Sequence, residues 1–441
     1  MTDQSSHAAL MARRSRTLGP AYRHFYDAPL HPVRGQGVRL YDAEGRAYLD
    51  AYNNVPSVGH CHPRVVEALA AQAAELNTHT RYIHPRIVEY GERLTALFDP
   101  ALSQVMFTCT GSEANDLALR VVRAVTGGTG IIVTSNAYHG VTADLAEMSP
   151  SLGAANPLGA HVRTVAPPSG VDGGASFAAE VRTAIASLQA AGLRPAALLF
   201  DTVFASDGVY LDPPGCIAGA VAAIREAGGL FIADEVQAGL ARVGSHMWAY
   251  ERHGVVPDIV TLGKPLGAGH PLAAMVIRPD LLAEFGAKTR YFNTFGGNPV
   301  SAAVGLAVLD VIRDEGLQDN AASVGRALQD GLATLARRHP EVVAEVRGTG
   351  LYAALELRGA PGTAGQGISW LLNDMRRRGV LLGSCGAQGQ ALKIRPPLPF
   401  GKDDLAELLA ALDEGLSQDG LYRILGADTG TDTGTAAPQR A

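Results

Sequence analysis

The segment Ile259-Val-Thr-Leu-Gly-Lys264-Pro-Leu-Gly-Ala-Gly269 joins a short apolar run to a lysine surrounded by glycines. Residues 259–262 predict a buried strand, because the run is short, rich in β-branched residues and bounded by glycine. Ligands of open α/β sheets lie at the carboxyl ends of the strands. Lys264 directly follows this strand and is therefore a candidate active-site residue, although most single lysines are only surface charges.

Five further apolar runs of this kind alternate with helical patterns along the chain. They are residues 104–108, 131–134, 196–200, 230–233 and 273–277. Such alternation is typical of a largely parallel sheet that is covered by helices on both faces. We therefore predict an α/β fold.

The rest of the chain predicts a second, smaller α+β unit, with a hairpin around residues 38–49 and two helices followed by strands after residue 297. The predicted parts are an N-terminal arm without periodicity (1–20), the first part of the small domain (21–55), a large domain (56–297), the second part of the small domain (298–425) and a tail (426–441). The tail is rich in Gly, Thr and Asp, and we expect it to be disordered.

Composition excludes several classes of protein. The chain has 441 residues and a formal net charge of -6, without a dense basic block, so we expect no nucleic-acid partner. It has no apolar stretch long enough to span a bilayer, and we expect a cytoplasmic protein without membrane contact. The four cysteines form no CxxC pair, and His60-Cys61-His62 lacks a distant partner, so we expect no metal site.

A possible phosphate site follows the strand at 104–108. There Gly111 and Ser112 open a helix, and free amide groups at a helix start, together with the helix dipole, suit an anion. The alternative is that Ser112 is an ordinary helix cap.

Asp234 follows the strand at 230–233, where the ligand crevice is expected. A buried carboxylate needs a cationic partner, and a protonated ring nitrogen is one such partner. The alternatives are a solvated strand end or an acidic pair of the nucleotide-binding type, but no GxxxxGK[ST] loop occurs in the chain. Tyr138, after the strand at 131–134, is either a ring stacked on an aromatic ligand or a core tyrosine.

Together these motifs resemble the class III aminotransferases, which are fold-type-I enzymes that use pyridoxal 5′-phosphate (PLP), from about Tyr41 to Leu416. The motifs are TGSEAND (110–116), AYHG (137–140), ADEVQAGLARVG (233–244), PDIVTLGKPLGAGHP (257–271) and FNTFGGNPVSAAVGLAVLD (292–310). The resemblance implies a large domain with a mainly parallel seven-stranded sheet beside a smaller α+β domain.

The resemblance also implies roles for individual residues. Lys264 would hold PLP as an internal aldimine, and Asp234 would pair with the pyridine nitrogen. Gly111 and Ser112 would bind the phosphate, Tyr138 would stack on the ring, and Gln237 would lie near the phenolic oxygen. Thr294 would reach the phosphate of the neighbouring subunit, which implies a homodimer with active sites at the interface.

Three further segments are similar to the branch that includes alanine-glyoxylate aminotransferase 2 and the phosphoethanolamine and phosphohydroxylysine phospho-lyases. They are residues 52–63, 76–94 and KIRPP at 393–397. The substrate pocket is then expected near Tyr52, Arg81, Tyr82 and Arg395. Arg395 would receive a carboxylate or phosphate, unless it is a surface cation beside Pro396.

Two departures from the family pattern bear on substrate choice. Many members have a glutamate where this chain has Ser206 and an arginine where it has Lys393. In those members the glutamate screens the arginine when an ω-amino group binds, so the resemblance implies that this chain lacks the switch.

The first hypothesis for function is transamination from an amino acid or amine to a keto acid such as pyruvate, 2-oxoglutarate or glyoxylate. The second is a PLP-dependent phospho-lyase that eliminates phosphate from a phosphorylated amino alcohol. The third is a PLP-binding protein without catalytic activity, against which the set Lys264, Asp234 and Gln237 argues.

Overall fold

A computed structural model describes residues 7–168 and 172–427. Its strands are β1 Pro32–Gln36, β2 Arg39–Asp42, β3 Ala47–Asp50, β4 Gln104–Thr108, β5 Gly130–Thr134, β6 Val162–Val165, β7 Pro195–Asp201, β8 Leu230–Asp234, β9 Ile259–Leu262, β10 Ala273–Ile277, β11 Val343–Thr349, β12 Tyr352–Leu357, β13 Val380–Leu381, β14 Gly383–Cys385 and β15 Ala391–Ile394.

The helices are interspersed with these strands along the described chain. They are α1 His7–Leu18, α2 Pro63–Glu75, α3 Pro85–Thr95, α4 Gly111–Thr126, α5 Ala143–Ala146, α6 Ala175–Ala190, α7 Ala218–Glu226, α8 Pro279–Lys288, α9 Pro299–Asp314, α10 Leu317–Arg338, α11 Pro361–Arg378, α12 Lys402–Leu416 and α13 Asp419–Leu425. A 3₁₀ turn spans Lys264–Gly267.

The central sheet has seven strands in the order β4-β10-β9-β8-β7-β5-β6. Strand β10 is antiparallel to both of its neighbours, and the other neighbouring pairs are parallel. The predicted α/β fold with a mainly parallel seven-stranded sheet is confirmed. Every residue of β5, β9 and β10 is buried, because helices pack against both faces of the sheet, and this explains the unbroken apolar runs in the sequence.

Two smaller sheets lie outside the central one. Strands β11, β12, β15 and β14 form an antiparallel sheet, as the strand patterns after residue 297 suggested. The second sheet contains the predicted hairpin, β2 and β3, and its order is β1-β2-β3-β13. Because β13 pairs in parallel with β3, the N-terminal strands are joined to the C-terminal part of the chain.

Two elements differ from the expectations. The arm predicted to lack periodicity contains helix α1, none of whose residues is buried; its Ala, Leu, Met and Arg residues favour a helix without an apolar stripe. Strand β6 has no counterpart among the predicted strands, since four residues at a sheet edge leave a weak pattern. Most of the tail predicted to be disordered, residues 428–441, lies outside the described residues.

A buried carboxylate fixes the starts of the strands that carry the candidate site. Asp258 immediately precedes β9 and is 1% exposed. Its Oδ2 accepts hydrogen bonds from Phe231 N in β8 at 2.9 Å and from Arg225 Nη2 at 3.1 Å. Its Oδ1 accepts one from Arg278 Nη1 at 2.9 Å, just after β10. Three neighbouring strands are therefore held in register by one side chain.

We expect Asp258→Ala to lower the free energy of unfolding by about 3 kcal/mol or more, because it leaves buried donors without an acceptor. Chemical denaturation of the holoenzyme measures this. Asp280→Ala is the matched control, since Asp280 also pairs with Arg278, at 2.7 Å, but is exposed; we expect it to cost at most about 1 kcal/mol. Equal losses in the two variants would contradict the structural role of Asp258.

Candidate active site

Residues that follow four different strands meet at one cavity. These strands are β4, β5, β8 and β9, whose carboxyl ends lie at the same edge of the sheet. The cavity is lined by Gly111, Ser112, Asn115, Tyr138, His139, Gly140, Asp201, Asp234, Val236, Gln237 and Lys264. Six residues that the sequence singled out for PLP are therefore brought together.

One end of the cavity is formed by the start of helix α4. Thr110 caps the helix by accepting a hydrogen bond from Glu113 N at 3.1 Å, and the Glu113 carboxylate accepts from Thr110 N at 3.0 Å. Within the described residues, the amides of Gly111 and Ser112 donate to no protein acceptor. Ser112 Oγ accepts from Val141 N at 3.2 Å, which leaves the hydroxyl proton for a ligand. This helix start can receive an anion.

Close approach of the backbone around this helix start depends on glycine. A Cβ atom on Gly111 would lie 2.9 Å from Val236 Cγ1, and one on Gly140 would lie 2.7 Å from Ser112 Oγ. Side chains at these two positions would fill the space beside the free amides. The cavity is therefore shaped to let a ligand reach the main chain.

Asp234 lies at the end of β8, buried, and is held by three donors. His139 Nδ1 lies 2.7 Å and Asn115 Nδ2 lies 3.0 Å from its Oδ2, while Val236 N donates to Oδ1 at 3.1 Å. A carboxylate only accepts hydrogen bonds when ionised, so His139 carries its proton on Nδ1. Thr261 Oγ1, in β9, donates to Asn115 Oδ1 at 2.6 Å and fixes the orientation of the amide. The carboxylate is thus oriented toward the cavity by a rigid network.

Lys264 opens the 3₁₀ turn that follows β9. Its φ of 26° is in the left-handed region, which a side chain rarely adopts. In the described part of the chain its amine makes no hydrogen bond or ion pair. Burial lowers the pKa of the amine, the Arg395 cation lowers it further, and Asp234 and Asp201 oppose the shift. A larger fraction of this amine is therefore neutral and nucleophilic than of an ordinary lysine.

Arg395 directly follows β15 and contacts Gln237, a residue of the cavity lining. It is 6% exposed, so the reading of a surface cation beside Pro396 is wrong. Its Nη1 donates to Gln237 Oε1 and its Nε donates to the Tyr52 carbonyl at 3.1 Å. The guanidinium also lies 4.8 Å from the centre of the Tyr52 ring. Tyr52 and Arg395, both predicted to contact substrate, are therefore neighbours of the PLP-binding set.

Three predicted residues lie outside this cavity. Arg81 packs over the Phe292 ring at 4.0 Å, and Tyr82 stacks on His79 with ring centres 5.0 Å apart. Thr294 is exposed in the loop that precedes α9. In a single chain these residues are not brought to Lys264, and their predicted roles in substrate binding and at a subunit interface stay predictions.

Sequence reasoning missed three polar side chains that line the cavity. Asn115 and His139 stand inside the quoted motifs, but only the fold reveals that both bind Asp234. Asp201 ends β7, and burial together with the Asp234 charge raises its pKa to about 6. A polar residue at the end of a predicted strand was the available signal for Asp201, since the same rule selected Asp234.

Lys393 and the two histidines near Cys61 have other partners. Lys393 is buried in β15, and its Nζ lies 3.4 Å from the Ala205 carbonyl. His60 Nε2 lies 2.7 Å from Asp50 Oδ2, and His62 Nε2 lies 2.9 Å from Glu315 Oε1. The two histidines are thus each paired with a different carboxylate.

The residues present fit PLP on observations of this structure. Free amides and a hydroxyl stand at a helix start for its phosphate, a buried carboxylate is oriented for a protonated ring nitrogen, and an unpaired amine stands between for the aldehyde. The half-buried Tyr138 supplies a flat face, and the Gln237 amide remains for a phenolic oxygen. The fold and the site define a fold-type-I PLP-dependent enzyme.

Comparison with known proteins gives the family. A family model described as aminotransferase class-III matches residues 22–416, and the chain belongs to this family of PLP-dependent enzymes. A phospholyase from Arthrobacter in complex with phosphoethanolamine is 44% identical, with a TM-score of 0.88 over 93% of this chain and 99% of that one.

Two curated relatives are each 38% identical. One is an alanine-glyoxylate aminotransferase 2-like protein from Drosophila melanogaster, matched over 94% of this chain and 88% of its own. The other is alanine-glyoxylate aminotransferase 2 homolog 2, mitochondrial, from Arabidopsis thaliana, matched over 93% of this chain and 87% of its own. None of the helices between residues 7 and 427 that the structure describes has both the length and the apolar character needed to cross a membrane.

We expect the rate at which PLP attaches to the apoenzyme to rise with pH, with a midpoint below the usual lysine pKa, because the neutral amine reacts. Arg395→Met removes a cation that disfavours the protonated amine, so its midpoint should move upward. The absorbance of the attached cofactor, followed against pH, measures both. Arg358→Met removes an exposed arginine and should leave the midpoint unchanged; an unmoved or lower midpoint in Arg395→Met would contradict the coupling.

Proposed function

We propose that this enzyme eliminates phosphate from a phosphorylated amino alcohol, and that Arg395 receives the phosphate. The proposal rests on the burial of Arg395 and on its lack of a carboxylate partner within the described residues. The Arg395 side chain donates to Gln237 in the lining of the cavity that contains Lys264. A buried cation without an anion is costly, and a substrate anion would relieve that cost.

The cations near this end of the site favour a doubly charged anion. Burial and the Arg395 charge lower the pKa of Lys393 to about 8 and that of Arg242 to about 9. Neither forms an ion pair in the part of the chain that the structure describes, and Lys264 forms none either. Few acids oppose these pKa shifts. Asp201 is the acid whose charge raises the pKa of both Lys264 and Lys393. A phosphate brings more negative charge than a carboxylate and matches this surplus better.

The comparison with solved structures supports the same substrate class. The Arthrobacter protein at 44% identity is named as a phospholyase in complex with phosphoethanolamine. The match covers nearly all of both chains.

PLP and the side chains of the protein contribute different parts of the reaction. PLP, once bound, withdraws electrons from the carbon that carries the substrate amine. Lys264 would hold the cofactor, and its amine would take a proton from the substrate carbon beside the amine. Asp234 would hold the ring nitrogen protonated, and Arg395 would orient the phosphate whose C–O bond breaks. The leaving group departs as phosphate, and water converts the remaining fragment to an aldehyde and ammonia.

Transamination to a keto acid is the second candidate, favoured by the two relatives named as aminotransferases. The same Lys264 and Asp234 would serve it, with Arg395 receiving a carboxylate. The third hypothesis, a non-catalytic PLP-binding protein, is not retained, because the family is enzymatic and Lys264, Asp234 and Gln237 are intact.

An ω-amino substrate is disfavoured in either case. Where many relatives have a glutamate, Ser206 stands beside Asn136 and Gly386, and its carbonyl accepts hydrogen bonds from both, at 2.6 and 3.0 Å. It brings no negative charge to screen the cation at position 393, which is Lys393 in this chain. A cationic substrate group would therefore meet Arg395, Lys393 and Lys264 without compensation.

We expect the holoenzyme to release one phosphate per phosphoethanolamine consumed, without any keto acid present. Colorimetric phosphate detection measures this, and pyruvate or 2-oxoglutarate consumption is followed in parallel. Lys264→Ala should release none, and Arg395→Met should raise KM by about tenfold or more, since a charge-assisted hydrogen bond to the substrate is lost. Keto-acid-dependent turnover of an amino acid with no phosphate release would transfer the assignment to the second candidate.

A homodimer with the active sites at its interface is part of the proposal. Several large apolar side chains are exposed, among them Ile83 at 98% and Phe295 at 70%. They stand in the loops that also carry Arg81, Tyr82 and Thr294, and a second copy of the chain is the partner that the family resemblance implies. A cytoplasmic location likewise stays a proposal.

We expect Ile83→Asp to dissociate the dimer, because an unpaired charge replaces an exposed apolar side chain at the interface. Sedimentation velocity gives the mass, and titration with PLP should show weaker binding if Thr294 of one subunit reaches the phosphate of the other. Val256→Asp, which places the same charge at the amino end of β9, should remain dimeric. A wild-type enzyme that sediments as a monomer would contradict the proposal.

A further inference from the structure

Arg395 has few free donors in the substrate-free site. A guanidinium can hold an oxyanion with two nitrogens along one edge, either Nη1 with Nη2 or Nε with Nη2. In this structure Nη1 donates to Gln237 Oε1, and Nε donates to the Tyr52 carbonyl at 3.1 Å. Nε has a single hydrogen, so the Tyr52 carbonyl closes the Nε–Nη2 edge to an anion that binds through two nitrogens. Nη1 has two hydrogens, and on this nitrogen the Gln237 oxygen competes with an anion for the Nη1–Nη2 edge.

The two acceptors differ in how easily they can leave. The Tyr52 carbonyl belongs to a turn in which Asp50 Oδ1 accepts hydrogen bonds from Tyr52 N at 3.1 Å and from Asn53 N at 2.9 Å. Moving it would disturb the backbone. Gln237 instead offers the end of a flexible side chain, while its backbone carbonyl is bound separately by Asn54 Nδ2 at 3.3 Å. The amide of Gln237 can rotate away without moving the main chain.

The chemistry of the amide suits a temporary partner. A guanidinium only donates, so the Gln237 oxygen must face Arg395 and its NH₂ group must face elsewhere. A neutral oxygen satisfies the buried donor, yet it binds less strongly than a charged phosphate or carboxylate oxygen would. A carboxylate in the same place would form an ion pair that a substrate anion could not easily displace.

We propose that Gln237 holds Arg395 in a waiting position when no substrate is bound, and that the substrate anion displaces the Gln237 amide to reach the Nη1–Nη2 edge. Gln237 is thus a determinant of specificity for anionic substrates, in addition to its expected place beside the cofactor. This inference rests on the proposed role of Arg395 as anion receptor, and it applies equally to phosphate and carboxylate substrates.

Two substitutions of Gln237 that are similar in size should change the affinity for inorganic phosphate in opposite directions. Gln237→Met removes the competing acceptor, so the holoenzyme should bind inorganic phosphate more tightly, by on the order of fivefold. Gln237→Glu replaces it with a charged competitor, so phosphate should bind about tenfold more weakly or worse. Isothermal titration calorimetry with inorganic phosphate gives both dissociation constants, and the absorbance of each sample verifies full cofactor occupancy.

A purely structural role for Gln237 would weaken phosphate binding in both variants, and that result would overturn the inference. Gln189→Met, on the exposed face of α6, makes the same change far from the cavity and should bind phosphate as the wild type does. Arg395→Met distinguishes the proposed anion receptor from the proposed waiting position. If it binds phosphate as tightly as the wild type, the anion receptor itself is wrong; if it loses binding while Gln237→Met gains none, only the waiting position is wrong.

Discussion

The site depends on one buried carboxylate that three donors hold in place. Asp234 ends β8 and is bound by His139 from the segment after β5, by Asn115 from α4 and by the Val236 amide. Thr261, from β9, fixes Asn115 in turn. Because each partner comes from a different element, the carboxylate is held rigidly, and the phosphate-binding helix start and Lys264 are positioned relative to it.

Burial shifts the pKa values of the acids and of the lysines around this site in opposite directions. It raises the pKa of Asp201 to about 6, and it lowers the pKa of Lys264 and that of Lys393, the latter to about 8. Both effects reduce the charge that the folded protein must keep away from water. The neutral fraction of Lys264 gains from this, and a neutral amine is the form that attaches a carbonyl cofactor. Arg395 keeps its charge and is the cation left for a substrate.

Substrate choice depends on what surrounds Arg395 rather than on the cofactor residues. Gln237 is neutral where an acid would neutralise the guanidinium, and Tyr52 provides a carbonyl and a ring. The residues that hold PLP are compatible with several reactions, since each begins with loss of a proton from the carbon beside the amine. The electrostatic difference between related enzymes is therefore expected at the end of the cavity that Arg395 forms.

The sequence alone determined the α/β class, because apolar runs buried on both faces of a sheet differ in pattern from amphipathic helices, and it determined which residues follow the strand ends. Lys264, Asp234, Ser112 and Tyr138 were found in this way. Only the tertiary structure decided that Asn115 and His139 bind Asp234, and that Arg395 is buried against Gln237. These contacts join residues 95 to 158 positions apart. Local patterns contain no information on which distant side chains the packing of the elements brings together.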